Sequence, residues 1–453
     1  MILTARGIPE KIPAKTLLEY QLEVIHGLIQ QKIPVVSSAS DGSATERSMQ
    51  SKLIASADDT RSYMIKHPRP PSAASDWIVT TIPLFRGQPI VMLQDSKHAA
   101  KTARNNVTTG AKFLVLGDYV AMYSQIRKPA LAKNGPLYKR DVEKVDRQDD
   151  NAACRLLSSA TLGWLKAHHD ASPDNEAVRG LIVFLFLMGE AVDAYQNRSL
   201  PHIERVKMVL RLHFFLERWE LFLDRASYTR LTNFISPQFR DILRYLVFGL
   251  IQLVVVYRDN YRSRYPFLPW LHSTEVCEHV FGLLRSLVKD FTMLDFLNAV
   301  PKLFLRLRLF TKSTAHSSGK ETASGYAHTF SDCRGIDLSA LSTFPTDDEI
   351  NQVAKIAYDE AENLIFILGV SPESLADAQV KDSTPAHTVH SDGSEEGDEF
   401  DGDDEVDEGT AINYLYDCIE NLGKSTLSSS YKDQLRDLGY ASVMLSAHQD
   451  TEM

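Results

Sequence analysis

The sequence predicts a predominantly helical α+β chain, and three observations carry that reading. Apolar residues recur at helical spacing over residues 140–165, 175–196, 202–225 and 237–257, with no alternating strand between them. Short β-branched runs, at residues 33–38, 77–83 and 89–94, all precede the long helical block. The chain has 453 residues, 44% of them apolar, which is enough for a sizeable core and two or three domains.

The elements follow in order. Leu18, Leu22, Ile25, Leu28 and Ile29 put one apolar face on a helix over residues 14–31. A strand over 33–38 then ends in the polar SASDGS, which brings Asp41 onto a turn before a helix over 44–57. Residues 68–75 are a Pro/Ser loop. The runs 77–83 and 89–94 read as two strands joined by the turn Phe85-Arg86-Gly87-Gln88, and residues 97–106 have helical spacing. After the helical block, helices are expected at 273–285, 293–310 and 347–368, with a polar loop at 316–332 and a terminal helix at 411–422. The segment LPWLHSTEVCEHVFGLLR puts Glu278 on a buried amphipathic helix entered through a Pro-Trp turn.

Composition narrows the classes. The four cysteines lie far apart and form no CxxC pair, so neither a disulfide framework nor a zinc knuckle is readable, and a reducing compartment, nuclear or cytoplasmic, is expected. No signal peptide opens the chain, and the apolar stretches 181–188 and 246–257 are shorter than the roughly 20 residues that span a bilayer, so they read as buried helices. Residues 392–408 hold 11 acids and no base; because the net charge is -10, the rest sums to +1. Such a run buries too little apolar surface to order itself and reads as a disordered acidic linker over 381–410. Its ordinary role is solubilisation; its functional role is mimicry of DNA or capture of basic partners.

Three acids sit where metal chemistry would use them. Two-metal phosphoryl transfer needs carboxylates converging from several chain positions on cations about 3.5–4 Å apart, and Mg²⁺ prefers oxygen ligands while keeping several waters. Asp41 and Asp95 end apolar runs, and Glu278 follows much later on a helix. Each has a bland reading beside this one. Asp41 before Gly42 suits a turn or helix cap, Asp95 stands just before a helix, and Glu278 suits an ion pair.

The motifs SDGSATER, D-x-x-H-x-x-K-x-x-R-N (Asp95, His98, Lys101, Arg104, Asn105) and E-x-x-F-G-x-x-R (Glu278, Phe281, Gly282, Arg285) resemble blocks of P-element and THAP-related DDE transposases and of the fungal proteins derived from them. The run VEKVDRQDDNAACRL is similar to the same chains, and the resemblance covers residues 20–312. It implies a partial RNase H-like α/β core whose last strand is separated from the glutamate helix by a large all-α insertion. Residue by residue it implies Asp41 and Glu278 as catalytic and Mg²⁺-binding acids, with Asp95 and His98 assisting. The family's first aspartate belongs to a strand ahead of the first helix here, and residues 1–13 contain no Asp. The resemblance therefore implies an N-terminally truncated or decayed relative with a degenerate site, and the 5′ end of the transcript is the observation that decides it.

The implied layout is a partial core lacking its first strands at 1–130, a helical insertion at 131–262, core-completing helices at 263–312, a loop and helix at 313–380, then the acidic linker and a terminal helix and tail at 411–453. Lys101, Arg104, Arg285, Lys302, Arg306 and Arg308 are the expected nucleic-acid contacts, and phosphate contacts of that kind weaken with salt. The bland reading of residues 302–312 is a snorkelling amphipathic helix. Thr108-Thr109-Gly110-Ala111-Lys112 lacks phosphate-loop spacing, so no nucleotide cofactor is expected. The cluster His272, Glu275, Cys277, Glu278, His279 lacks zinc spacing. The leading expectation is a transposase-derived, DNA-associated protein that is catalytically inactive as written, with Mg²⁺ relevant only to a residual site. The alternative is a non-enzymatic helical scaffold for protein partners with an acidic regulatory linker.

Overall fold

A computed structural model describes residues 12–70, 75–110, 112–143, 145–169, 178–262, 264–313, 336–371 and 374–375. The expected polar loop at 316–332, the acidic linker and the helix at 411–422 lie outside the described residues.

The first layer is α1 (Ala14–Gln30) and α2 (Ala44–Ala55), which precede and follow β1 (Ser37–Ser40) in the chain and pack on each other. Ile25, Met49, Leu53, Phe85, Ile90 and Met92 close a small core between the helices and the strands. β2 (Asp59–Lys66) pairs antiparallel with β3 (Trp77–Phe85), which turns through Arg86 and Gly87, both at positive φ, into β4 (Gln88–Pro89). The expected two-strand reading of 77–94 needs one correction. At Ile90 the second strand changes partner, and β5 (Val91–Gln94) pairs parallel with β1, Ser37 opposite Val91 and Ser40 opposite Gln94. Two adjacent parallel strands thus end together, and α3 (Ser96–Thr108) begins where β5 stops. β6 (Leu114–Leu116) and β7 (Tyr119–Ala121) form a separate hairpin.

α4 (Tyr123–Leu131) leads to the segment expected as one helix over 140–165, which is broken in the structure. A 3₁₀ turn at Lys139–Asp141 is followed by a loop, α5 (Asp150–Leu156) and α6 (Ser159–His169). The reason is polar. The Asp149 carboxylate caps α5 through the Ala152 N–H, and Arg155 grips buried Asp141 with two bonds, Nε–Oδ2 2.8 Å and Nη2–Oδ1 2.6 Å.

The rest of the helical block holds as expected: α7 (Arg179–Gln196), α8 (His202–Arg225), the short α9 (Arg230–Asn233) and α10 (Pro237–Val256). α10 is started by Ser236, whose hydroxyl accepts the Phe239 N–H with Pro237 in the first turn. α7 and α10 are buried almost throughout, which accounts for their apolar runs, and no helix among the described residues is long and apolar enough to cross a membrane. α11 (Glu275–Arg285) and α12 (Met293–Ser313) pack on each other around Leu284, Phe296, Ala299 and Leu303, a core separate from the main one. α13 (Asp347–Ile367), started by a Thr346/Glu349 capping box, lies along α8 and β2. The class is the expected one in its coarse form: α+β, predominantly helical, with small mixed parallel and antiparallel sheets beside a large all-α block.

Candidate functional site

The parallel pairing of β1 and β5 sets Asp41 and Asp95 one residue beyond neighbouring strand ends. A buried amide network fixes those ends: Gln50 Nε2 donates to the Leu93 carbonyl at 2.8 Å, and Gln94 donates to Gln50 Oε1 and, at 3.1 Å, to Ser40 Oγ. Gly42 follows at φ +92°, where an added Cβ would stand 2.6 Å from Gln94 Oε1, so the turn behind Asp41 requires glycine.

The two aspartates part company in their bonds. Ser43, not Asp41, caps α2, accepting the Glu46 N–H, while the Glu46 carboxylate reaches back to the Asp41 N–H at 3.2 Å. The Asp41 carboxylate is therefore free of capping duty, and its Oδ1 is buried with no hydrogen-bond partner among the described residues. Asp95 is 3% exposed and fully engaged. Its Oδ1 accepts the Lys97 and His98 N–H groups at 2.6 and 3.2 Å, and its Oδ2 accepts the Thr274 N–H and hydroxyl at 2.8 Å each. One carboxylate thus sits at the N-termini of α3 and α11 together, where both helix dipoles favour it.

Those bonds also set the position of Glu278. α11 is anchored to the core at Thr274 and, through Glu275, to Lys97 at 2.8 Å. Glu278, one turn on, is exposed at the rim instead of buried as its helix's pattern suggests. Its carboxyl is pushed above the ordinary range by partial desolvation and by the negative charges of Asp95, Asp41 and Asp150, against the pull of Lys101. The Cys277 thiol, on an exposed residue, is raised by partial desolvation and by the charges of Asp41 and Glu278. His98 is lowered by burial and by Lys101, against Asp41, Asp95 and Asp150, so it stays neutral to lower pH than a free imidazole. Asp41, Asp95, Asp150, Glu278, His98 and Lys101 accordingly form one electrostatic neighbourhood.

Asp150 is the member the sequence reading missed. It stands at the start of α5 and binds Lys101 at 3.1 Å. Its only signal was its place inside the VEKVDRQDDNAACRL run. The expected nucleic-acid contacts divide. Arg104 is 1% exposed and gives its two terminal nitrogens to the Asp146 and Asp149 carbonyls at 2.6 and 3.0 Å, so it holds the α5 loop and presents nothing to a phosphate. Lys101 is largely buried in its ion pair. Arg285, Lys302, Arg306 and Arg308 are exposed on α11 and α12, with Arg306 bonded to Ser286 at 2.6 Å.

Among the described residues no group of three or more His, Cys, Asp and Glu is arranged to hold a metal ion. The side chains explain the shortfall on their own terms. Asp41 has an orphaned buried oxygen that suits a cation, and Glu278 is close enough to feel its charge. Asp95 has no lone pair to spare without releasing a helix end. The present residues do not fit a two-metal set.

No protein-family model matches the chain, and no curated protein matches it. Among solved structures it is similar to the Drosophila P element transposase strand transfer complex, at 17% identity and TM-score 0.44, covering 63% of this chain and 62% of that one. The chain thus spans less than two thirds of that relative's length. A likeness at this level is silent on chemistry, which rests on the residues above.

Proposed function

We propose that this is a transposase-derived, nucleic-acid-associated protein carrying a degenerate DDE-type strand-transfer site that no longer cuts DNA. The observation that carries the reading is the bonding of the two strand-end acids: Asp41 has an orphaned oxygen facing an acidic neighbourhood with Glu278, whereas Asp95 is consumed by two helix ends. Asp41 and Glu278 are the acids that remain for such a site, and without Asp95 two carboxylates leave the two-metal set incomplete. His98, neutral and close by, and Asp95, as the anchor of α11, would keep those two acids in place. Phosphate contact falls to Arg285, Lys302, Arg306 and Arg308 on the α11–α12 hairpin.

The test is the full chain with a nicked and an intact DNA duplex, with Mg²⁺ or Mn²⁺ and without. Retention of duplex at low salt with no metal-dependent cleavage is the expected result. Metal-dependent cleavage abolished by Asp41→Asn would overturn inactivity while confirming the site. Absence of retention at every salt concentration, together with a protein partner held at high salt, would favour the scaffold reading, to which the exposed leucines of α12 lend specific support.

A further inference from the structure

α12 is apolar on both sides. Phe296, Ala299 and Leu303 face α11, and on the opposite side Leu294, Leu297, Phe304, Leu305 and Leu309 are exposed, Leu294 at 66% and Leu305 at 59%. With 100° per residue the second group falls on one stripe, flanked by Lys302 and Arg306 and crossed by Arg308. Exposed apolar surface of that kind marks an interaction site. The described structure ends at Leu375, leaving 376–453 of this chain beyond it.

Within that remainder Ile412, Leu415, Ile419 and Leu422 are spaced three, four and three, one apolar stripe on a helix, with Asp417 and Glu420 on its other side. The 11 acids of residues 392–408 come immediately before it. From Leu375 to Ile412 the sequence runs about 36 residues, and a flexible chain of that length would span about 33 Å, enough to reach across a domain and to hold its end at an effective concentration near the millimolar range.

We infer that the 411–422 segment seats its apolar stripe on the outward face of α12 in the same chain, and that the acidic run before it lies along Lys302, Arg306 and Arg308. Charge decides the occupant. A second copy meeting α12 through a two-fold axis would bring those bases against their own images, which like-charge repulsion opposes. The chain's own acidic run is complementary to them. The consequence, which alone rests on the nucleic-acid reading above, is that the tail occupies the hairpin's phosphate-binding face until it is displaced.

The test uses the full chain without nucleic acid. Ile412→Asp, Leu415→Asp and Ile419→Asp together should speed hydrogen exchange of the α12 amides about tenfold, at rates independent of protein concentration, while α8 and α10 are unchanged. Unchanged exchange in α12, or protection that rises with concentration and ignores the tail substitutions, overturns the proposal, the latter in favour of a second copy. Independently, Leu305→Cys in a Cys277→Ser background should form a bridge to Cys418 within one chain, and a bridge found only between chains refutes it. DNA retention by the triple variant is a separate readout: increased retention supports the nucleic-acid reading, and none removes that reading while leaving the docking result standing.

Discussion

Asp95→Asn and Asp41→Asn are near-identical changes with opposite expected consequences. Asn caps a helix about as well as Asp, so the Oδ1 bonds to Lys97 and His98 survive Asp95→Asn. The loss falls on Oδ2. An amide group there turns N–H donors toward the Thr274 N–H, removing two charge-assisted bonds and leaving buried donors facing each other. Bonds to a charged group contribute about 1.5–3 kcal/mol each, and the helix-dipole term adds about 0.3–1 kcal/mol, so after partial relaxation a net cost of about 2–4 kcal/mol is expected. Asp41→Asn removes no bond from a side chain whose Oδ1 has no partner and relieves repulsion with Glu278, so it should be neutral or stabilising. Urea unfolding read by tryptophan fluorescence separates them: with a slope of about 3 kcal/mol/M, Asp95→Asn lowers the midpoint by roughly 1 M. Hydrogen exchange should place the loosening at the start of α11. Equal midpoints, or a larger loss for Asp41→Asn, would refute the assignment of Asp95 as the anchor and Asp41 as the spare acid.

Three further outcomes follow from the same contacts. Carbon-detected titration should find the Glu278 carboxyl above its ordinary value of 4.5 and moving down in Asp41→Asn; a folded-state value raised this way favours the fold below pH 4.5 and loses that contribution as pH rises through the shifted value, so Glu278→Gln should flatten that part of the stability profile. Arg104→Lys should cost about 2–4 kcal/mol by breaking its two-carbonyl fork, yet leave the salt dependence of DNA retention unchanged, whereas Lys302→Ala and Arg306→Ala should each reduce the slope of log affinity against log salt by about 0.9. His272, bonded to Ser37 at 2.7 Å and Tyr257 at 3.1 Å, and His202, bonded to the Leu341 carbonyl at 2.9 Å, are both lowered to about 4 by burial. Their contribution is present above pH 6.5 and lost as pH falls toward 4, so circular dichroism should show weakening through that window, and His202→Phe should reduce its slope.

The helices were legible where one period ran uninterrupted between clear ends. Residues 202–225 show that case, an apolar spacing that runs unbroken over the whole helix from the extended N-cap Pro201 to Arg225. β2 escaped because its exposed face alternates poorly, and β6 and β7 because three residues are too few to show a period. The partner change at Ile90 leaves no mark in a run that is apolar on both sides of it. Asp41 and Glu278 were legible as acids in suggestive places, but the difference between Asp41 and Asp95 was not. It depends on Thr274, distant in sequence, meeting a strand end. Arg104 and Asp150 were hidden for the same reason, since both roles are created by the loop that Arg155 and Asp141 pin down.

On the function proposed above, the anchor role of Asp95 would also account for a degenerate metal site keeping its architecture. A carboxylate that served only cations would be surrounded by repulsion once the cations no longer bound, and drift in its neighbours would cost the fold nothing. Here the same side chain satisfies orphan N–H groups of two helices, and the Lys97–Glu275 pair beside it ties α3 to α11 a second time. On that proposed function, selection on stability would still act at Asp95, while Asp41, whose carboxylate is spared by the Ser43/Glu46 cap, is held by no comparable bond. The bonding would then order any decay: the spare acid is the one such a chain could replace without unfolding, and the anchored one would have to stay.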